Sequence, residues 1–262
     1  MCLVALLDEE LVSIPEDDPY LKRLGERARA ALGTRSREQR VDRSFEVMRL
    51  LVSRWLLRKG RIAVGEIQRQ TGLSHPSVSK ALDALGPAIE RRRDRSVILA
   101  SFPTEAWNRL IALAPQVRQP RAFVDASGRA MTAAALLERL AKHPPVGVAL
   151  GGVPATRHWH RGLDLEGLPR VDLSVHAPKA PMDTAFVEGI DPALVPAPRG
   201  TPPLLVVHAV PRAESLFFHP PTGMPIADPV EALLDLHELR LVEQADDLVR
   251  AMRGLAEPTK PH

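Results

Sequence analysis

Cysteine is nearly missing from this 262-residue chain: Cys2 stands alone. That excludes an internal disulfide framework and makes a cysteine-rich zinc site impossible, and it suits a reducing cytoplasm. Long hydrophobic runs are missing as well. The opening Met1 to Leu7 is apolar but short, lacks a positive n-region and runs straight into Asp8, Glu9 and Glu10, which does not read as a signal peptide. No later segment has the unbroken apolar length that spans a bilayer, so a soluble chain without a membrane partner is expected. There are no internal repeats. Nor is there a Gly-x-Ser-x-Gly turn that would turn Asp125, Ser127 and the scattered histidines into a serine hydrolase.

Charge is unevenly spread. From Val41 to Ala100 there are twelve Lys and Arg against six Asp and Glu, a local balance of +6, whereas the whole chain carries +3. The rest is therefore net acidic at −3. A polyanionic partner, nucleic acid, is expected for that stretch and not for the remaining surface. The length exceeds a typical single domain and predicts two.

Within the basic stretch, Val64 to Thr71 reads as a helix ended by Gly72, where a positive φ costs little, with Leu73 as a plug. A second helix follows: Ser74 is placed to cap it, Pro76 falls in the first turn, and Val78, Ala81, Leu82 and Leu85 recur at helical spacing. The other face carries His75, Ser77, Ser79 and Lys80, the short polar groups and single long cation of a helix that enters the major groove. Ala88 to Arg92 and Arg95 to Ala100 then read as a hairpin, or wing. Arg91, Arg92, Arg93 and Arg95 lie at its tip, with Asp94 the only opposing charge. A solvated basic hairpin, or a winged helix that binds protein, is the plainer alternative. The two features together favour DNA.

The domain plan that follows has a helical N-terminal arm over 1–40, a winged helix-turn-helix over 41–101, a connecting helix and linker over 102–121, and an α/β domain over 122–262. In the arm, Leu21, Leu24, Ala28 and Leu32 make a helical stripe that serves either a dimer or its own domain, and Gly33 to Arg40 reads as a linker. Phe45, Met48, Leu51, Val52 and Trp55 give the first helix of the winged domain its apolar face. Pro103 to Ala114 is a short helix bearing Trp107, Leu110 and Ile111, and Pro115 to Arg121 a connection. Beyond it come a helix from Thr132 to Lys142, strands at Val146 to Leu150, Arg170 to His176, Leu204 to Val210 and Ser215 to Phe218, and helix from Pro229 to Leu255. The prolines between Ala177 and Pro203 predict an extended exposed loop.

Leu150-Gly151-Gly152 followed by Asp172 in Val171-Asp172-Leu173-Ser174-Val175 has the outline of a nucleotidyltransferase core, in which Asp-x-Asp holds Mg²⁺ from one strand face. Here Ser174 replaces the second carboxylate, which removes a charged ligand. His158 and His160, read as extended, would point the same way, but with His176 they lack a completing carboxylate or cysteine. His237 and Glu238 lie in a helix whose leucines read as core. No catalytic residue, cofactor or metal is therefore expected.

From about Phe45 onward the arrangement resembles the AbiEi-type antitoxin family of type IV toxin–antitoxin systems. The resemblance rests on Ser74 to Leu85, the Trp107 helix, the Gly-Gly turn and the segment Ile226-Ala227-Asp228-Pro229-Val230-Glu231-Ala232-Leu233-Leu234-Asp235-Leu236 leading to Gln244-Ala245. It implies a transcriptional repressor of its own operon with a degraded nucleotidyltransferase-like domain and a partner toxin. Double-stranded DNA, as inverted repeats bound by a homodimer, is the expected partner. An active nucleotidyltransferase tethered to nucleic acid, or a protein- or RNA-binding module, are the other classes.

Overall fold

The computed structural model describes residues 3–7, 10–14, 44–129, 131–178 and 182–254. The chain divides into two compact units, 1–42 and 43–262. In the first, β1 (Leu3–Leu7) and β2 (Glu10–Ile14) pair antiparallel, from Leu3 opposite Ile14 to Leu7 opposite Glu10. The described residues of the arm expected over 1–40 are thus strand, not helix. The stripe from Leu21 to Leu32 and the linker Gly33 to Arg40 lie outside the described residues.

The second unit is mixed α/β. It opens with α1 (Ser44–Leu56), β3 (Ile62–Ala63), α2 (Val64–Thr71), α3 (His75–Ala84), β4 (Ile89–Arg91) and β5 (Ser96–Leu99). The strands form a sheet in the order β3-β5-β4. Periodicity explains the packing: Val47, Met48, Leu51 and Val52 of α1, Ile67 of α2, Val78, Ala81 and Leu82 of α3, and Val97 and Leu99 of β5 are all buried. Gly72 adopts φ +70, and its N–H satisfies the Gln68 carbonyl at the end of α2. Ser74 then stands in extended geometry ahead of α3, with Pro76 in the first turn.

Next come α4 (Thr104–Arg118), β6 (Arg121–Asp125), α5 (Ala133–Lys142), β7 (Val148–Leu150), α6 (Gly152–Trp159), β8 (Val171–His176), α7 (Phe186–Ile190), β9 (Leu194–Pro196), β10 (Leu205–Val210), α8 (Pro229–Glu238) and α9 (Val242–Arg253). A five-stranded sheet runs β7-β8-β10-β6-β9. Only β8 and β10 pair in parallel; the other neighbours are antiparallel. Alternation gives the sheet two unlike faces. Val171, Leu173, Val175, Leu205 and Val207 join Leu136 and Leu140 of α5 in an apolar core. Asp172, Ser174 and His208 point the other way and are fully buried.

Four expectations change. Helix α4 continues through Pro115 to Arg118 and is no linker, because Pro115 lies one turn from the end and Val117 and Arg118 are buried. The proline-rich loop holds α7 and β9, with Val187 and Leu194 in the core, and β9 pairs with β6. Ser215 to Phe218 contributes a single bridge, Phe218 to Ile226, and no regular strand. The terminal helical region breaks in two at Leu239 to Leu241. No helix among the described residues is long and apolar enough to cross a membrane.

The two predicted domains of this unit are joined by buried charge. Arg49 on α1 donates to Glu46 at 2.5 Å and to Glu231 on α8. Arg118 on α4 donates to Asp235 at 2.5 Å, and Arg212, after β10, to Asp228. Each of these residues is at most 1 % exposed. Burial disfavours the charge on Arg49, but Glu231 and Glu46 more than offset that and raise its pKa. Burial likewise opposes ionisation of Glu231, yet Arg49, Arg118 and Arg212 hold it at about 2. Asp172, Asp228 and Asp235 are pushed up by burial, Asp172 to about 6. Carboxylates outnumber guanidinium groups in this layer.

Candidate nucleic-acid interface

Between α3 and the β4–β5 hairpin lies a concavity of about 470 Å³. Leu82 and Val97 form its floor, His75 and Ser79 its helix wall, and Arg91, Arg92 and Arg95 its hairpin wall. The hairpin tip is tightly specified. Arg95 N–H donates to the Arg92 carbonyl at 3.1 Å, and Arg92 N–H to the Ser96 carbonyl at 3.0 Å. Asp94 Oδ1 accepts from Ser96 N at 2.9 Å and Ser96 Oγ at 2.6 Å. Those two bonds hold the Asp94 carboxyl below its usual range, so the one acid of the tip serves as a turn acceptor.

Arg95 adopts φ +59, the left-handed position that such a turn normally gives to glycine. An arginine there costs on the order of 1 kcal/mol of backbone strain. Its carbonyl accepts from Val64 N–H at 3.1 Å, which fixes the tip against the start of α2. The strain keeps a fourth cation at the tip.

The expected site residues are not all brought together. His75, Ser79, Arg91, Arg92 and Arg95 converge on the concavity. At about 100° per residue, Ser77 lies roughly 160° round the helix from His75 and Ser79, on the far flank. There its hydroxyl meets that of Ser74 at 3.0 Å. Ser74 gives α3 no side-chain cap, although its carbonyl accepts from Val78 N–H at 3.0 Å. Lys80 is exposed between the two flanks, and Arg93 is exposed at the tip. Arg91 is committed to Asp83 of α3 at 2.6 Å, a bridge across the concavity that the sequence reading missed. An acid facing outward on a helix and an arginine eight residues later carry no local signal of pairing. Among the described residues Lys80, Arg92, Arg93 and Arg95 have no carboxylate partner.

The α/β segment clamps this module. Glu214 N–H donates to the Gln70 carbonyl at 3.0 Å, Arg69 pairs with Glu214, and a Cβ on Gly72 would come within 3.2 Å of Ala213 Cβ.

The Gly151-Gly152 turn meets buried acids and no open cleft. Gly152 N–H, at the start of α6, donates to Asp235 Oδ2 at 2.5 Å. A Cβ on Gly151 would fall 2.5 Å from that oxygen, and one on Gly152 2.5 Å from Asp172 Oδ2. Arg170 Nε donates to Asp172 at 2.9 Å. Asp172, His208 and Asp235 offer ligand atoms within 4.8 Å of one another, a grouping that the expectation of no metal did not foresee. His208 Nδ1 and Nε2, Asp172 Oδ2 and Ser174 Oγ lack hydrogen-bond partners. Arg118 and Arg170, however, already bond to the two carboxylates, and their charges stand where a cation's would. Burial, with Arg118 beside it, lowers the His208 pKa to about 4 and keeps the ring neutral. The other histidines do not converge: His158 sits on α6, not in extended chain, against Trp159 and Phe218, and His176 Nε2 meets the Arg212 carbonyl at 3.1 Å.

Comparison with family models, with curated proteins and with solved structures yields no match to this chain.

Proposed function

We propose that this chain is a sequence-specific duplex-DNA-binding regulator, an antitoxin-like autorepressor in which a winged helix-turn-helix is carried on a non-catalytic, nucleotidyltransferase-like α/β body. The concavity between α3 and the hairpin carries this reading: a polar helix wall of His75 and Ser79 faces a wall of cations most of which have no carboxylate partner. Arg92, Arg93, Arg95 and Lys80 supply sequence-independent attraction to phosphates. His75 and Ser79 face base edges, while Ser74 and Ser77 lie on the far flank of the same helix end. Arg91, held by Asp83, sets the gap between helix and hairpin. Two copies on an inverted repeat would fix the half-site spacing. The AbiEi-type resemblance assigns the α/β body to a cognate toxin.

The non-catalytic reading of that body rests on Asp235. In a nucleotidyltransferase the Gly-Gly turn and the helix behind it face a triphosphate; here Asp235 already accepts the Gly152 N–H, and Ser174 supplies no second carboxylate. The discriminating experiment is binding of the full chain to duplex from upstream of its own reading frame, against a scrambled duplex, over a salt series. Selective binding is expected, with log affinity falling by about 0.9 per neutralised phosphate per decade of salt. The variant Arg92→Ala/Arg93→Ala/Arg95→Ala lowers that slope by roughly 2 to 3. Equal binding to both duplexes, or an unchanged slope in the variant, overturns the reading.

A further inference from the structure

A second basic concavity, of about 550 Å³, opens at the end of the three-stranded sheet away from the arginine tip. It is lined by Trp55, Arg58, Lys59, Arg61, Glu90 and Arg253 together with the last residues of β5. Hairpin pairing fixes its place. Ser96, at the tip end of β5, is opposite Ala63, whereas Leu99 and the residues beside Arg61 belong to the far end. The extended rise of about 3.3 Å per residue puts it some 10 Å or more from the tip.

Among the described residues that line this hollow, Glu90 is the one carboxylate against four cations, Arg58, Lys59, Arg61 and Arg253. Arg61 meets Glu90 at 3.1 Å, and among the described residues its Nη1 has no acceptor. Arg58 Nε donates to the Met252 carbonyl at 2.9 Å, and Arg253 NH1 to the Trp55 carbonyl at 2.8 Å. Both arginines are thus oriented by neutral acceptors. Arg58 adopts φ +52, and its guanidinium packs against Gly254 at the end of α9. Arg253 lies 4.2 Å over the Trp55 ring. Arg54 braces the turn through the Gly60 and Arg61 carbonyls at 2.9 and 3.2 Å. Among the described residues Arg58, Lys59 and Arg253 have no carboxylate partner, while the volume lies within the range of small-molecule sites, about 300 to 1,000 Å³.

We infer that this hollow binds a phosphate-bearing anion of nucleotide size, held by Lys59, Arg61, Arg58 and Arg253. The site lies where the end of α1 meets the end of α9, so the ligand ties the DNA-binding helices to the last helix of the α/β body. Free nucleotide and a backbone phosphate of bound DNA share this chemistry, and the test separates them. Inorganic pyrophosphate and ATP are titrated calorimetrically, each alone, into the full chain and into Lys59→Glu/Arg61→Gln, whose unchanged melting temperature would show an intact fold. A free-anion site gives one-to-one binding that weakens at least tenfold in the variant, with the DNA salt slope of the variant unaltered. A backbone-phosphate site gives no binding of either small anion and a salt slope lowered by about 1. Equal binding of the small anions by both proteins, or neither effect, overturns the proposal. Because the wing triple variant leaves this hollow intact, loss of the DNA reading does not alter the ATP titration.

Discussion

Arginine does opposite work in two regions of this molecule. At the hairpin tip Arg92, Arg93 and Arg95 are exposed, and no carboxylate answers them among the described residues. In the layer between α1, α4, α8 and β10, Arg49, Arg118 and Arg212 are fully buried and each is answered by acid. Exposed cations keep their field for a partner and add little to stability. Buried ones have spent that field inside the fold, where removing a partner leaves an uncompensated charge. A count of arginines therefore says nothing of function until burial sorts them.

The contrast is broken most severely at Glu231, which faces three buried arginines. Glu231→Ala is expected to destabilise by about 3 to 5 kcal/mol, whereas Arg93→Ala stays within about 0.5 kcal/mol. Denaturant melts of the two variants compare them directly, and similar small losses would mean that the buried layer is not energetically distinct. Next in size is a pH effect at Asp172. Burial raises its folded pKa to about 6, so its contribution is fully present below the unfolded value near 3.9 and is lost as pH rises through 6. Asp172→Asn has no such loss. Its stability relative to the parent is expected to improve by roughly 2 kcal/mol between pH 4 and pH 7. A gap that is the same at both pH values would show that folding does not raise the Asp172 pKa. The smallest effect sharpens the comparison at the tip: Arg95→Gly relieves the left-handed strain and gains about 1 kcal/mol of stability, while the DNA salt slope falls by about 1. Loss of stability in that variant would mean that the arginine stabilises the turn through contacts of its own.

Much of the basic module was legible because its signals are local. Gly72, Ser74, Pro76 and the spacing of Val78, Ala81, Leu82 and Leu85 determine α2, its left-handed end and α3 within a few residues of chain. The flank of α3 that meets the hairpin was not legible. His75 and Ser77 look equivalent in sequence, and only the docking of β4–β5 on one side separates them. The ionic layer escaped for a related reason. Glu231 and Asp235 stand four apart on α8, the spacing of a solvated helix face, yet α6, α9, α1 and α4 pack around that helix and bury it from Pro229 to Leu236. Pro115 read as a boundary because its cost in a helix is local, whereas the burial of Arg118 that carries α4 past it comes from residues more than a hundred positions away.

By itself the sequence determined the mixed α/β class, the helix bounds around Gly72, the crowding of positive charge between Val41 and Ala100, and the absence of a second carboxylate at Ser174. Each follows from short-range geometry or from composition, which do not depend on what the distant chain does. Tertiary structure alone decided which arginines are paired with buried acid, which side of α3 faces the hairpin, and that Asp235 takes the Gly152 N–H. Those outcomes depend on dielectric and proximity, and both are set only when segments far apart in the chain pack together and exclude water.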